Sequence, residues 1–95
     1  MQNQPSIEPP PIFIQRLVDK CHVLLPGTPK PTSAIIFEGE FYVYVKVFSS
    51  IEVARQKAAL MMGRGDRVIL TRVPKGLVLW VNEPDAQLVK RKVSF

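Results

Sequence analysis

Apolar residues between Ile12 and Leu25 recur at intervals of three and four positions. The set comprises Ile14, Leu17, Val18, Cys21, Leu24 and Leu25. This spacing places the apolar side chains on one face of a helix and the polar residues Gln15, Arg16, Asp19 and Lys20 on the other side. Pro26-Gly27 follows at once and would end that helix. The pattern therefore predicts a first α-helix over 12–25, followed by a stiff connector over 27–32.

The segment Phe41–Phe48 alternates in the manner of a β-strand. The alternation predicts a core face of Phe41, Val43, Val45 and Val47 and an opposite face of Tyr42, Tyr44 and Lys46. Together with Ser33–Phe37, this segment predicts a β-hairpin around Glu38-Gly39-Glu40.

A second hairpin is predicted for Arg67–Val73 and Leu77–Val81, across Pro74-Lys75-Gly76. Proline presets φ at the first corner of such a turn, and glycine tolerates the returning geometry. Asn82-Glu83-Pro84-Asp85 resembles a helix start, because proline suits the first helical position. We therefore expect a short closing helix over 85–92.

Between the hairpins, Ser49 with Glu52 three residues later forms a capping box and predicts the start of a helix. The predicted buried stripe of that helix is Ile51, Ala54, Ala58, Met61 and Met62. Gly63 and Gly65 provide positions at which the chain can leave the helix.

This order, α-ββ-α-ββ-α, predicts an α+β fold. The expected architecture is a four-stranded mixed sheet with helices packed on it, in which the second and third strands pair in parallel through a right-handed crossover. A chain of 95 residues suits one domain. We expect a single α+β domain over 12–95, preceded by a flexible Pro-rich tail over 1–11.

Candidate catalytic and metal-ligating residues are scarce. One cysteine, Cys21, excludes an internal disulfide or a site built from several thiolates, and one histidine, His22, leaves little for acid–base chemistry. On the predicted helix these neighbours would point about 100° apart, which suits no nucleophile–base pair. No nucleotide-binding or hydrolase motif is present. We expect a non-enzymatic protein with no cofactor and no metal.

The N-terminal segment Met1–Pro11 has neither the basic nor the apolar stretch of a signal peptide. No apolar run approaches the roughly 20 residues that span a bilayer. These features predict a cytoplasmic protein without a membrane span.

Charge is distributed unevenly. The chain carries 13 basic and 8 acidic residues, a formal charge of +5, and residues 46–75 hold seven of the basic residues against two acidic ones. A local basic surface attracts polyanions. The candidate binding residues are aromatic or basic: Tyr42, Tyr44, Lys46, Arg64, Arg67, Arg72, Lys75 and Trp80.

Two interpretations of these residues stay open. The first is a protein-interaction adaptor or assembly factor that binds a protein partner or itself, with no small-molecule substrate indicated. The alternative is a binder of single-stranded nucleic acid, RNA in particular, because an open sheet face with Tyr42, Tyr44 and Trp80 beside basic groups suits base stacking. The first predicted helix could equally cover that face and make these aromatics part of the core.

The segment Phe41–Ser50, followed by Ala54, Ala58 and Leu60, resembles the opening of a SPOR repeat. The resemblance covers residues 41–81, about the first half of such a domain. It implies a strand, a Phe-Ser-Ser corner, an Ala-rich helix and returning strands. Because that family binds peptidoglycan glycan, a SPOR-like glycan binder is a third alternative, although only the local structure is carried over.

Overall fold

The computed structural model describes residues 10–89, with only the backbone of Arg16. These residues form seven strands in one mixed sheet, a 3-10 turn and a single α-helix. The elements are β1 (Ile12–Ile14), the 3-10 turn (Gln15–Leu17), β2 (Asp19–Leu24), β3 (Thr32–Phe37), β4 (Glu40–Phe48), α1 (Ile51–Gly63), β5 (Val68–Val73), β6 (Gly76–Asn82) and β7 (Gln87–Leu88). The strand order is β1-β5-β6-β4-β3-β2-β7, with β1 parallel to β5 and every other pair antiparallel.

The predicted fold class is therefore wrong. The described chain is mostly sheet with one helix, not a four-stranded α+β sheet carrying several helices. The predicted parallel pair is wrong as well, because β6 lies between β4 and β5 and pairs antiparallel with both. Hairpin formation by β5 and β6 places the returning strand, rather than β5 itself, next to β4.

The predicted first helix over 12–25 is replaced by β1, the 3-10 turn and β2. Leu17, which the helical stripe placed in the core, is 73% exposed. Alternate residues of β2 turn inward instead, and Val23 is fully buried. The apolar positions of this segment fit both the 3.6-residue period of a helix and the two-residue period of a strand. Pairing with β5 and β3, which are remote in sequence, favours the strand.

The predicted closing helix is also absent from the described part of its range. A turn occupies Pro84-Asp85, and β7 then pairs with β2. Residues 90–92 of that prediction and residues 1–9 of the predicted tail lie outside the described residues. Pro10 is buried, and the Pro11 carbonyl accepts a hydrogen bond from the Leu70 amide (3.0 Å).

Both predicted hairpins form. The first closes through Glu38 and Gly39, whose φ angles of 51° and 77° are those of a two-residue turn that matches strand twist. The second turns at Pro74-Lys75, and Gly76 has a φ of 142°.

The predicted central helix is confirmed as α1, with a start shifted by one residue. Ser50, not Ser49, is the N-cap, and its hydroxyl accepts a hydrogen bond from the Val53 amide at 3.3 Å. The helix buries three of its five predicted core residues, Ala54, Ala58 and Met61. They pack against one side of the sheet on Val68, Leu70, Leu77 and Leu79. Ile51, also predicted for the core, is exposed.

The other side of the sheet is concave, because a short linker joins β1 to β2. Five inter-strand steps separate these strands in the sheet, which is about 24 Å if the sheet were flat. The chain from Ile14 to Asp19 spans at most about 18 Å. The sheet must therefore curl, and the linker crosses its concave side, where Val18 packs on a core of Ile35, Tyr42, Ile69, Val78 and Trp80.

Candidate binding groove

A β-bulge at Val45 changes which residues of β4 share a face. Tyr44 lies opposite Trp80, but the register shifts so that Lys46 lies opposite Leu79, on the helix side. The alternation predicted for Tyr42, Tyr44 and Lys46 is thus interrupted before its last member. Lys46 Nζ lies 5.5 Å from the centroid of the Phe48 ring, away from the concave side.

Two of the three aromatic residues predicted to stack on bases are part of the concave core. Tyr42 and Trp80 are each only 3% exposed. The Tyr42 ring contacts Phe37 edge-on at 6.2 Å between centroids, and burial raises the pKa of its hydroxyl. Tyr44, at 44% exposure, contacts Trp80 edge-on at 6.0 Å. Of the three aromatic residues predicted to stack on bases, Tyr44 alone is therefore exposed.

Arg64 and Arg67 lie near the end of the sheet that carries the Glu38-Gly39 turn, which we call the Gly39 end. Arg67 Nη1 donates to Glu40 Oε2 at 3.0 Å, and Arg64 Nη2 lies 3.6 Å from Asp66 Oδ2. These two predicted site residues are thus partnered by carboxylates and remote from the other basic candidates.

Arg72 and Lys75 lie at the opposite end, where the β5–β6 hairpin turns at Pro74; we call it the Pro74 end. Val73 pairs with Gly76 there, while Phe37 pairs with Glu40 at the Gly39 end. At the Gly39 end the two arginines are thus paired with carboxylates, whereas Arg72 and Lys75 at the Pro74 end form no ion pair within residues 10–89.

Three adjoining cavities run from the concave side to the Pro74 end, and we call them together the binding groove. The first, of about 360 Å³, is lined by Gln15, Lys20, His22, Ser33, Tyr44 and Trp80, among others. The second, of about 520 Å³, shares Gln15 and Lys20 with the first and adds Ile14, Arg72, Val73 and Pro74. The third, of about 240 Å³, shares Arg72, Val73 and Pro74 with the second and adds Lys75, Ser49 and Ile51. Among residues 10–89, no aspartate or glutamate lines any of the three.

A hydrogen-bond chain holds the linker against the floor of the groove. Trp80 Nε1 donates to Thr71 Oγ1 at 2.8 Å, and Thr71 Oγ1 donates to Gln15 Oε1 at 2.8 Å. Thr71 is fully buried, so both its donor and its acceptor capacity are satisfied inside the protein. The chain ties β6, β5 and the linker together at the boundary between the first two cavities.

Cys21 and His22 are adjacent on β2 and face opposite sides of the sheet. Cys21 packs on the cluster of Val23 and Ala34, and burial, with a smaller effect of Asp19, raises the pKa of its thiol. Both Cys21 and His22 are among the residues that line the first cavity. Within the described residues, no three His, Cys, Asp or Glu side chains are grouped as metal ligands would be.

The structure brings four predicted site residues to the groove, namely Tyr44, Arg72, Lys75 and Trp80. Sequence reasoning missed Gln15 and Lys20, because the predicted helix placed them on a solvent face. It also missed Thr71. One signal was available for it, since a hydroxyl that directly follows the apolar residues Val68, Ile69 and Leu70 in a predicted strand requires a partner if it is buried.

No family model, curated protein or solved structure matches this chain. Of the helices within residues 10–89, none has the length and apolar character needed to cross a bilayer.

Proposed function

We propose that this protein is a non-enzymatic protein-interaction module whose ligand surface is the binding groove. The partner is an extended segment of another protein that carries acidic and apolar side chains. One observation supports this most: Lys20 lines the first and second cavities, Arg72 lines the second and third, Lys75 lines the third, and no carboxylate is in the described lining of any of them.

The charges and the cavities contribute differently to such binding. An exposed lysine or arginine that meets a ligand carboxylate contributes about 0.2–1 kcal/mol, so Lys20, Arg72 and Lys75 favour an acidic partner without holding it tightly. Tighter binding requires apolar area, at about 25 cal/mol for each Å² buried. Exposed Ile14 and half-buried Val73 in the second cavity supply such area.

The accessible surface favours a protein over a nucleic acid. Single-strand binders stack several bases on aromatic rings, and Tyr44 is the one exposed tyrosine, tryptophan or phenylalanine in the described groove. Arg64 and Arg67, two of the residues assigned to phosphate contact in that hypothesis, are paired with acids at the other end of the sheet.

The glycan alternative has less support than either. It rests on residues 41–81, whereas Gln15 and Lys20 come from the linker and β2, outside that range. The groove is therefore not a feature that the SPOR-like segment could form alone.

The proposal is tested by titrating ¹⁵N-labelled protein with a short peptide of alternating glutamate and leucine, in two salt concentrations. We expect chemical-shift changes at Gln15, Lys20 and Arg72, and weaker binding at higher salt. A lysine–leucine peptide of the same length should leave the groove signals unchanged.

Arg72→Met should weaken binding of the acidic peptide by about two- to fivefold, because that is the loss expected for one exposed ion pair. Arg55→Met is the matched control, because Arg55 is an exposed arginine of α1 that lines none of the three cavities. Equal losses in both variants would mean that net charge, and not the groove, attracts the peptide. Tighter binding of a single-stranded oligonucleotide to the same residues would replace the proposal with the nucleic-acid hypothesis.

A further inference from the structure

The first cavity of the groove, which we call the Trp80 cavity, has a layered lining. Its deep part is apolar, with Val78 and Trp80 both buried. Its rim is polar and comprises Gln15, Lys20, His22 and Ser33, of which all but the half-buried Gln15 are exposed. A small cavity with an apolar floor and a few convergent polar groups is the usual form of a site for a small ligand.

The hydrogen-bond chain fixes the polarity of this rim at Gln15. An indole N–H can only donate, so Thr71 Oγ1 must accept from Trp80. The single proton of the Thr71 hydroxyl then goes to Gln15, which must present its carbonyl oxygen Oε1 to Thr71. Gln15 Nε2 is consequently turned away from Thr71 and remains the donor that the side chain can offer to the cavities it lines.

The rim therefore combines an oriented amide donor with a cation. Lys20 lines the cavity beside Gln15, and no described acidic residue does. A carboxylate accepts hydrogen bonds and carries the complementary charge, so it satisfies both groups at once.

We propose that the Trp80 cavity binds an apolar carboxylate, a ligand in which an aromatic or branched hydrocarbon group carries a single carboxylate. The hydrocarbon group packs on Trp80 and Val78, and the carboxylate lies at the rim between Gln15 and Lys20. An engineered cavity of about 150 Å³ holds benzene, so about 360 Å³ accommodates a ring with a short acid chain. This site lies within the binding groove and shares Gln15 and Lys20 with the acidic segment proposed above, whose basic contacts extend further to Arg72 and Lys75.

The test uses 3-phenylpropionate and its primary amide, with Trp80 fluorescence and ¹⁵N shifts as readouts. Trp80 is the only tryptophan in the chain, so its emission reports on this cavity alone. We expect the acid to bind with a Kd of roughly 0.1–1 mM, as for ligands of this size, and the amide to bind at least about threefold more weakly. Equal affinity for the acid and the amide would overturn the proposal. So would the absence of binding by the acid at concentrations up to about 10 mM.

A charge variant tests the orientation of Gln15. Gln15→Glu keeps an oxygen that accepts from Thr71 but places a negative charge at the rim. Affinity for the acid should fall at least about tenfold, while affinity for the amide should change less than about twofold. A similar loss for both ligands would show that the variant altered the shape of the cavity, and would contradict the assigned carboxylate position.

Lysine variants locate the cation. Lys20→Met should weaken binding of 3-phenylpropionate by about two- to fivefold. Lys75→Met, which removes the same charge from the third cavity, should leave that affinity unchanged. The reverse pattern would place the carboxylate outside the Trp80 cavity. The carboxylate could belong to a small free acid or to the C-terminus of a peptide. A peptide that ends in phenylalanine, tested with a free and with an amidated C-terminus, distinguishes these two sources by whether its free-carboxylate form binds.

The two proposals can fail separately. Loss of peptide binding without loss of 3-phenylpropionate binding would refute only the interaction module, and the opposite result would refute only the carboxylate site.

Discussion

Thr71→Val probes the hydrogen-bond chain that joins the linker to the sheet. Valine keeps the shape of threonine but removes the hydroxyl that accepts from Trp80 Nε1 and donates to Gln15 Oε1. Thr71 is fully buried and Trp80 is 3% exposed, so water cannot readily replace the lost acceptor. The variant therefore leaves a buried indole N–H without a partner.

Three contributions set the expected change in the free energy of unfolding caused by Thr71→Val. An unsatisfied buried donor costs about 1–3 kcal/mol. Loss of the bond to half-buried Gln15 adds about 0.5–1 kcal/mol, since its oxygen can turn to water. The extra buried methyl group offsets about 0.8 kcal/mol. The free energy of unfolding should fall by about 1–3 kcal/mol, which lowers Tm by roughly 5–20 °C for a domain of this size.

Urea unfolding followed by far-UV circular dichroism measures the change, and Trp80→Phe supplies the control. Phenylalanine has no N–H, so in that background Thr71→Val creates no orphaned donor and should cost close to nothing. The double-mutant cycle should give a coupling energy of about 1–3 kcal/mol. If Thr71→Val costs the same in both backgrounds, within about 0.5 kcal/mol, the assigned hydrogen bond does not contribute as argued.

Three further predictions concern local features of the fold. Ser50→Ala should lower the free energy of unfolding by about 1 kcal/mol and Ser49→Ala by much less, because Ser50 caps α1; equal effects in urea unfolding would contradict the cap assignment. Gly76→Ala should lower the free energy of unfolding by about 3–5 kcal/mol, because the added Cβ would overlap the backbone carbonyl of Phe48. Gly39→Ala, where the added Cβ meets no neighbour, should lower it by only about 1–2 kcal/mol in the same measurement. Burial raises the pKa of the Cys21 thiol, so the folded state retains a proton that the unfolded state releases, and the free energy of unfolding should fall as pH rises through about 9. In Cys21→Ala the urea midpoint should change less with pH between about pH 8 and 9.5 than in the native protein. An unchanged pH dependence would mean that other groups cause the effect.

Local signals predicted the two hairpins and the central helix because their information lies within a few residues. The two-residue turn at Glu38-Gly39 requires positive φ, which glycine adopts readily, and Pro74 presets the corner of the second hairpin. A serine followed by a glutamate marked the start of α1, although the cap is Ser50 and not Ser49. Ala54 and Ala58 then allow the helix to approach the sheet closely.

Segments whose partners are remote in sequence were not predicted correctly. The apolar pattern of 12–25 fits a helix as well as a strand, and only pairing with β5 and β3 selects the strand. The turn at Pro84 likewise leads into β7 because β2 offers a free edge there. Hydrogen bonds from neighbouring strands favour the extended backbone over any local preference for a helix.

Local sequence patterns are enough to set the two hairpin turns and the region of the helix cap, and the sequence concentrates basic residues over 46–75. Contacts between distant segments select which basic and aromatic residues meet. A bulge at Val45 removes Lys46 from the face of Tyr44, and the short linker forces the sheet to curl so that Gln15 and Lys20 reach Trp80. Strand register and sheet curvature depend on contacts between distant segments, and no local pattern contains them. The binding groove depends on those contacts, because they curl the sheet around its concave side.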